Sequence, residues 1–406
     1  MLFRTALKNI RNGLLLNVVA ALQMMAAMVI TAVLISTILI RFQYYTPMKE
    51  YFSANGIYGI FPGMSGKNIQ EGMKMDNLLL DDDRLKAELD KPSEVIGSAY
   101  TFCFLPNGEG VSSFAYTDNL VQHYTPELSS GRWLSAADDT QSLEVVVSNN
   151  KYNWKVGDEI TLSFFGAADY KFQIVGMLQE NAKIPSGYTN HPDDINYMQF
   201  YQTYSFEIEE QPVLLMNLEI LKKLHDGPDI LRAMTASYIV TYPPNYPEEK
   251  LDTERAKLTS FGSAVTIPLS EMQENNIRYL YRQAYDQLPI IIVLLVLTCV
   301  SCISSSAITT RRRLRDYSIY YVCGLKWRQC VYVNLIQSLL CGTVSYIASV
   351  TALKLIGTSL FHQYRVIWSW YTIGGMGVVL VVYVIASLIM PLMIIGNNTP
   401  KQILSR

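Results

Sequence analysis

Four stretches of the chain lack charged side chains: residues 14–40, 288–310, 329–353, and a run that opens at Trp368. At about 1.5 Å of rise per residue, each is long enough to cross a bilayer as a helix. The first is far longer than the roughly 7 to 15 apolar residues of a cleavable signal core, so it reads as an uncleaved span, with a long signal peptide as the alternative. It is expected to continue outward as a stalk through Arg41, Phe42, Tyr44 and Tyr45 until Pro47 stops it. Ahead of it, residues 1–13 put Phe3, Leu7 and Ile10 on one helical face and Arg4, Lys8 and Arg11 on the next, the spacing of an amphipathic helix on the inner leaflet.

Between Pro47 and about Ser270 the pattern shortens to alternating segments broken by Gly and Pro. Strands are expected at 94–97, 143–147, 156–162, 172–178 and 237–242, strand then helix at 213–224, and a helix after Pro243-Pro244. Asp81-Asp82-Asp83 reads as one helix cap with two further acids at the positive helix end. Tyr188, Tyr197, Tyr201 and Tyr204 stand among Asp193, Asp194 and Asn196 and read as a solvated insertion, with an aromatic partner-gripping surface as the alternative. Ser270 and Gln273 suit a capping box for a helix whose Ile277, Leu280, Ala284 and Leu288 form one stripe, a second stalk with a kink at Pro289.

Composition supports the mixture: 406 residues, 50% hydrophobic, 17% charged and a mean hydropathy of +0.15. That is too apolar for an ordinary soluble protein and too polar for membrane helices alone. The net charge of −2 hides a separation. Basic residues gather at Arg4, Lys8 and Arg11, at 311–328, and at Lys401 and Arg406, whereas the central segment holds most of the acids. By the positive-inside bias, both termini are cytoplasmic and the central segment is outside. Nothing reads as a nucleic-acid surface. Of six cysteines only Cys103 lies in the central segment, so no intrachain disulfide is available to it.

The residues between the second and third apolar runs, Arg311 to Arg328, form a short basic loop that also carries Leu314, Ile319 and Val322 with Tyr317, Tyr320 and Tyr321. A short helix ended by Gly324 is expected there, with a greasy face along the membrane. The run Arg313-Leu314-Arg315-Asp316, followed by apolar residues closing on Gly324, resembles the R-x-x-E-I-G-I-L-R-A-I-G segment of MacB/FtsX-type ABC transporter permeases. It departs at Asp316 for Glu, Ser318 for Gly and Tyr321 for the second Arg. The order of Gly131-Arg132, Asp138, the 143–147 strand, Val156-Gly157-Asp158 and the 172–178 strand resembles the outer domain of the same family, and Pro391, Pro400 and Leu404 resemble its ending.

That resemblance implies a membrane α-helical protein with four transmembrane helices in a 1+3 arrangement and a large extracytoplasmic α/β domain between the first and second. The expected domains are a cytoplasmic amphipathic helix (1–13), first helix and stalk (14–45), outer α/β domain (46–270, variable insertion about 181–211), and stalk with second helix (271–310). A coupling loop (311–328), third helix (329–353), outer loop (354–367), fourth helix (368–395) and cytoplasmic tail (396–406) follow. The family implies mechanotransmission: a dimer of ATPase subunits binds ATP and Mg, contacts the loop, and movement passes up the stalks. A second permease chain, as homodimer or heterodimer, would complete the assembly. Arg312, Arg313, Arg315, Asp316, Tyr317 and Gly324 are the implied ATPase-coupling residues. Export or extraction of a peptide, lipoprotein or drug fits the large outer domain; an FtsX-like regulator of a cell-wall hydrolase and an ATP-independent receptor or scaffold are the alternatives.

Other chemistry finds no footing. Gly66-Lys67 lacks the rest of a Walker motif, and Leu128-Ser129-Ser130-Gly131 only faintly resembles an ABC signature. His123, His191, His225 and His362 lack ligand spacing, and Cys299 and Cys302 read as small residues one turn apart in an apolar span. Gly63-Met64-Ser65-Gly66 is not a nucleophile elbow. The spans hold no Asp, Glu, Lys, Arg or His in their interiors, against an ion-coupled carrier or an intramembrane protease. No catalytic, cofactor or metal residue is expected in this chain.

Overall fold

The computed structural model describes residues 2–60, 86–138, 142–148, 151–164, 169–186, 194–204, 211–223, 234–260, 263, 265–327, 329–360 and 366–398. Gly63 to Lys67, the Asp81 to Asp83 cap, Tyr188, His191, Asp193, His225, Arg328, His362, Arg365 and the closing Pro400, Lys401, Leu404 and Arg406 lie outside the described residues. Two compact units emerge: Gln43–Tyr279, and Met1–Phe42 with Leu280–Arg406.

Gln43–Tyr279 is built on a 10-stranded sheet and a 2-stranded one. In chain order the strands are β1 (Gly56–Ile60), β2 (Glu94–Phe104), β3 (Gly110–Tyr116), β4 (Leu128–Gly131), β5 (Glu144–Val147) and β6 (Glu159–Ser163). Then come β7 (Asp169–Leu178), β8 (Lys183–Pro185), β9 (Tyr201–Thr203), β10 (Leu214–Asn217), β11 (Met234–Thr241) and β12 (Val265–Pro268). The main sheet runs β12-β1-β11-β2-β3-β10-β5-β7-β4, and β6 pairs with both β7 and β2. The pairings β2-β3-β10-β5-β7-β6 therefore close into a ring, sealed where Phe104 of β2 meets Ser163 of β6. Alternate side chains fill it: Cys103, Val111, Val145, Val147, Ile160, Leu162, Phe172, Ile174, Leu214 and Met216 form one buried cluster. The remaining strands extend the sheet sideways, and the helix Glu248–Ser260 covers that extension by packing Leu251 and Leu258 against Ile57, Val95, Tyr238 and Val240.

The tyrosine-rich stretch is the main correction. Tyr197, Phe200, Tyr201 and Tyr204 are buried, not solvated. Asn196 caps the turn Tyr197–Phe200, accepting from the Met198 amide at 3.0 Å, while Gln199 accepts from the Asn196 amide at 2.9 Å. The turn presents its rings to Tyr44, Tyr45, Phe52 and Tyr279, with centroids 5.2 to 6.1 Å apart where Tyr44 meets Tyr201, Tyr45 meets Tyr197, Phe52 meets Phe200, and Phe200 meets Tyr201. Each buried hydroxyl that is to be stable needs an acceptor, and Tyr201 donates to the Tyr44 carbonyl at 3.1 Å, Tyr124 to that of Lys183 at 2.8 Å. The capping box expected at Ser270 is absent: the helix starts at Leu269, placing Ser270 in its first turn, and Gln273 instead exchanges hydrogen bonds with the Tyr45 hydroxyl at 3.0 and 3.1 Å. Asn276 accepts from the Tyr197 amide at 2.6 Å, so residues 194–204 hold the end of one long helix and the start of another.

Among the described residues, the other unit holds the N-terminal helix Leu2–Asn12, most of the long helices Leu14–Tyr45 and Leu269–Arg312, and the long helices Gln329–Leu360 and Trp370–Gly396. All four are long and apolar enough to cross a membrane. The third continues past Leu353 to Leu360, into what reads from sequence as an outer loop, because no Pro or turn residue interrupts Lys354 to Thr358 except the tolerated Gly357. Their common core gathers Met24, Ala27, Met28 and Ala32 with Cys302, Leu353, Met376, Val379 and Tyr383. Backbones approach where residues are small: a Cβ on Gly342 would meet Leu380 at 2.5 Å, and one on Gly375 would meet Ile35 at 2.2 Å.

Candidate functional site

The hairpin between the second and third long helices carries a short helix with a defined stop and its own packed core. The second helix ends at Arg312, Arg313 forms the junction, and the hairpin helix runs from Leu314 to Val322. Gly324, at φ +99°, ends it: the Gly324 amide donates to Tyr321 O and the Leu325 amide to Tyr320 O, both at 3.0 Å, which satisfies two carbonyls that helix termination leaves open. Only glycine takes that φ without strain. Leu325 then turns inward with Tyr317, Cys330 and Ile395, and Tyr320, Trp327 and Val331 pack around them. Trp327 donates to the Ile395 carbonyl at 2.7 Å, tying the hairpin to the last turn of the fourth helix.

The six implied coupling residues divide by direction. Arg312, Arg315, Asp316 and Gly324 are exposed, alongside Ile319, Tyr321 and Val322, so the apolar face expected of this helix is largely on the surface. Arg313 and Tyr317 face the interior. Arg313 donates to Gln337 Oε1 at 3.0 Å and to the Asn9 carbonyl. Tyr317 donates to Asn334 Oδ1 at 3.0 Å, and burial pushes its hydroxyl up to about 12. These two hold the hairpin in place; the exposed four are what it offers outward.

Sequence reasoning missed the acceptors. Asn334 and Gln337 lie one helical turn apart in an otherwise apolar run, and Asn9 and Asn17 flank Gly13. Polar side chains at that spacing inside a span are the signal, since an amide in an apolar setting needs a partner. Among the described residues no group of His, Cys, Asp or Glu is arranged to hold a metal ion.

No family model and no curated protein matches the chain. Among solved structures, part of it is similar to the extracellular domain of the noncanonic ABC-type transporter YknZ from Gram-positive bacteria, with 9% identity and a TM-score of 0.27, covering 53% of this chain and 98% of that one. Part is also similar to a domain of a protein described as a permease from Porphyromonas gingivalis, with 12% identity and a TM-score of 0.24, covering 53% of this chain and 86% of that one. Each likeness covers 53% of this chain, and among the described residues four helices are long and apolar enough to cross a membrane.

Proposed function

We propose that the chain is the permease subunit of a MacB/FtsX-type ABC system. A separate ATPase dimer, which binds ATP and Mg, docks on the hairpin from the cytoplasm, and its closure moves the first two long helices and the sheet unit outside the membrane. The observation that carries this reading is the hairpin: Arg312, Arg315, Asp316 and Gly324 exposed on a short, well-terminated helix joining two helices that can cross a bilayer. A docking element must transmit force without folding up. This one is closed by a glycine cap and pinned by Trp327. Residues 194–204, which hold both helix ends within the sheet unit, suit the output end of such a lever. A second permease chain, homo- or heterotypic, completes the pair, and export or extraction of a peptide, lipoprotein or drug is the output.

The test is co-expression with each ABC ATPase that the same genome encodes. The wild-type chain should retain the ATPase through purification in detergent. Replacing Arg312, Arg315 and Asp316 together by Ala should weaken retention roughly ten- to a hundredfold while leaving membrane insertion intact. A chain that neither retains the ATPase nor alters its hydrolysis is a receptor or scaffold, and the proposal fails.

A further inference from the structure

Arg313 alone separates the second long helix from the hairpin helix, and as the N-cap residue of the latter it has φ −103° and ψ 3°. Its neighbours Arg311, Arg312 and Arg315 point outward, but Arg313 is 9% exposed. A guanidinium stays protonated at physiological pH, so burying one is costly unless its donors find acceptors. Among the described residues no carboxylate pairs with it. The acceptors are Gln337 Oε1 and the carbonyl of Asn9, which lies in the last turn of the N-terminal helix. The Asn9 carbonyl also accepts from the Gly13 amide at 3.2 Å, so its second lone pair takes the guanidinium, and the dipole of the helix end answers the charge where an acid is lacking. Gly13 makes the approach possible: a Cβ there would stand 3.0 Å from Arg313 Nη2. Gln337 donates in turn to Asn17 Oδ1 at 2.9 Å, and Asn17 to the Ile10 carbonyl at 3.1 Å, so the chain of bonds closes on the same helix end.

We propose that this network is a bolt: Arg313 fixes the hairpin helix, the N-terminal helix and the third long helix into one plate. A push on the hairpin then moves all three segments together, and the hairpin helix cannot swing about its junction with the second helix. The consequence for force rests on the docking role proposed above; the bolt itself is a property of this chain alone. Arg313 is accordingly a positioning residue and not an ATPase contact.

The test uses full-length protein in nanodiscs of phosphatidylethanolamine and phosphatidylglycerol, read by hydrogen–deuterium exchange over residues 2–13 and 314–323. Arg313→Met keeps the bulk and removes the donors, and Gly13→Val displaces the guanidinium from the other side. Each should speed exchange in both segments by about tenfold or more, since two bonds to a charged group are lost. Arg313→Lys should restore part of the protection, and Arg311→Ala, at an exposed neighbour, should leave this exchange unchanged. Unchanged exchange in monodisperse Arg313→Met and Gly13→Val would overturn the bolt. In the assembly with its ATPase, Arg313→Met should leave the subunit bound and hydrolysing while the ATP-dependent change in exchange of residues 43–279 falls about tenfold. Release of the ATPase by that variant would make Arg313 a contact and sink the positioning role. Failure of the wild-type chain to bind any ATPase would end the docking reading and leave the exchange result standing.

Discussion

Glu144 opens β5 with its side chain 2% exposed, and its oxygens collect Arg132 at 2.5 and 3.1 Å and the Ser135 amide at 2.9 Å. Burial alone raises its carboxyl, but the Arg132 guanidinium and the Ser135 amide and hydroxyl outweigh that and hold it below the usual carboxylate range. A folded value below the unfolded one gives stability that is present above the unfolded value and lost as pH falls through the folded one. Glu144→Gln should therefore cost about 1–3 kcal/mol at neutral pH, and the gap should close below about pH 4. Denaturant midpoints of the two proteins at pH 7 and pH 3 check this; a constant gap would refute the linkage. The same scale shows what sequence cannot tell. Arg311, Arg312, Arg313 and Arg315 are chemically alike in one run, and what turns Arg313 inward is a carbonyl at residue 9 and an amide at residue 337. Composition places charge near a membrane surface; it does not say which charge finds an acceptor.

Among elements, the four long helices and the hairpin helix with its glycine stop were legible, because hydropathy and a C-terminal Gly act within a few residues of chain. Gly324→Val should destabilise the hairpin by about 1–2 kcal/mol, since φ +99° strains any β-branched residue. Faster exchange at residues 314–323, with 2–13 less affected, would distinguish this from loss of the bolt. Strands β5, β6, β7 and β11 showed in the sequence, whereas β1 did not: two of the five residues in Gly56–Ile60 are glycine, which weakens any strand reading. The tyrosine stretch failed for another reason. Its acidic and amide neighbours suggested solvent, but the rings' partners, Tyr44, Tyr45, Phe52 and Tyr279, lie far along the chain in both directions.

For the molecule as a whole, two native thiols report on orientation. Cys323 is exposed at the end of the hairpin helix, while Cys103 sits inside the closed ring of strands, where burial pushes its thiol up to about 12. In intact cells a membrane-impermeant maleimide should leave Cys323 unmodified and a permeant one should modify it; Cys103 should resist both until the protein is denatured. Modification of Cys323 by the impermeant reagent would place the hairpin outside and remove the docking site.

Strand β1 is the first strand after the first long helix, separated from it by the short helix Lys49–Phe52, yet its neighbours are β11 and β12, the last strands of the unit, each antiparallel to it. Pairing that skips so much chain is slow to form, because the intervening segment must be ordered first. During synthesis β1 therefore waits with both edges bare until residues 234–268 have been made. A ribosome stalled before that point leaves an apolar strand with two unpaired edges, open to pairing with another chain.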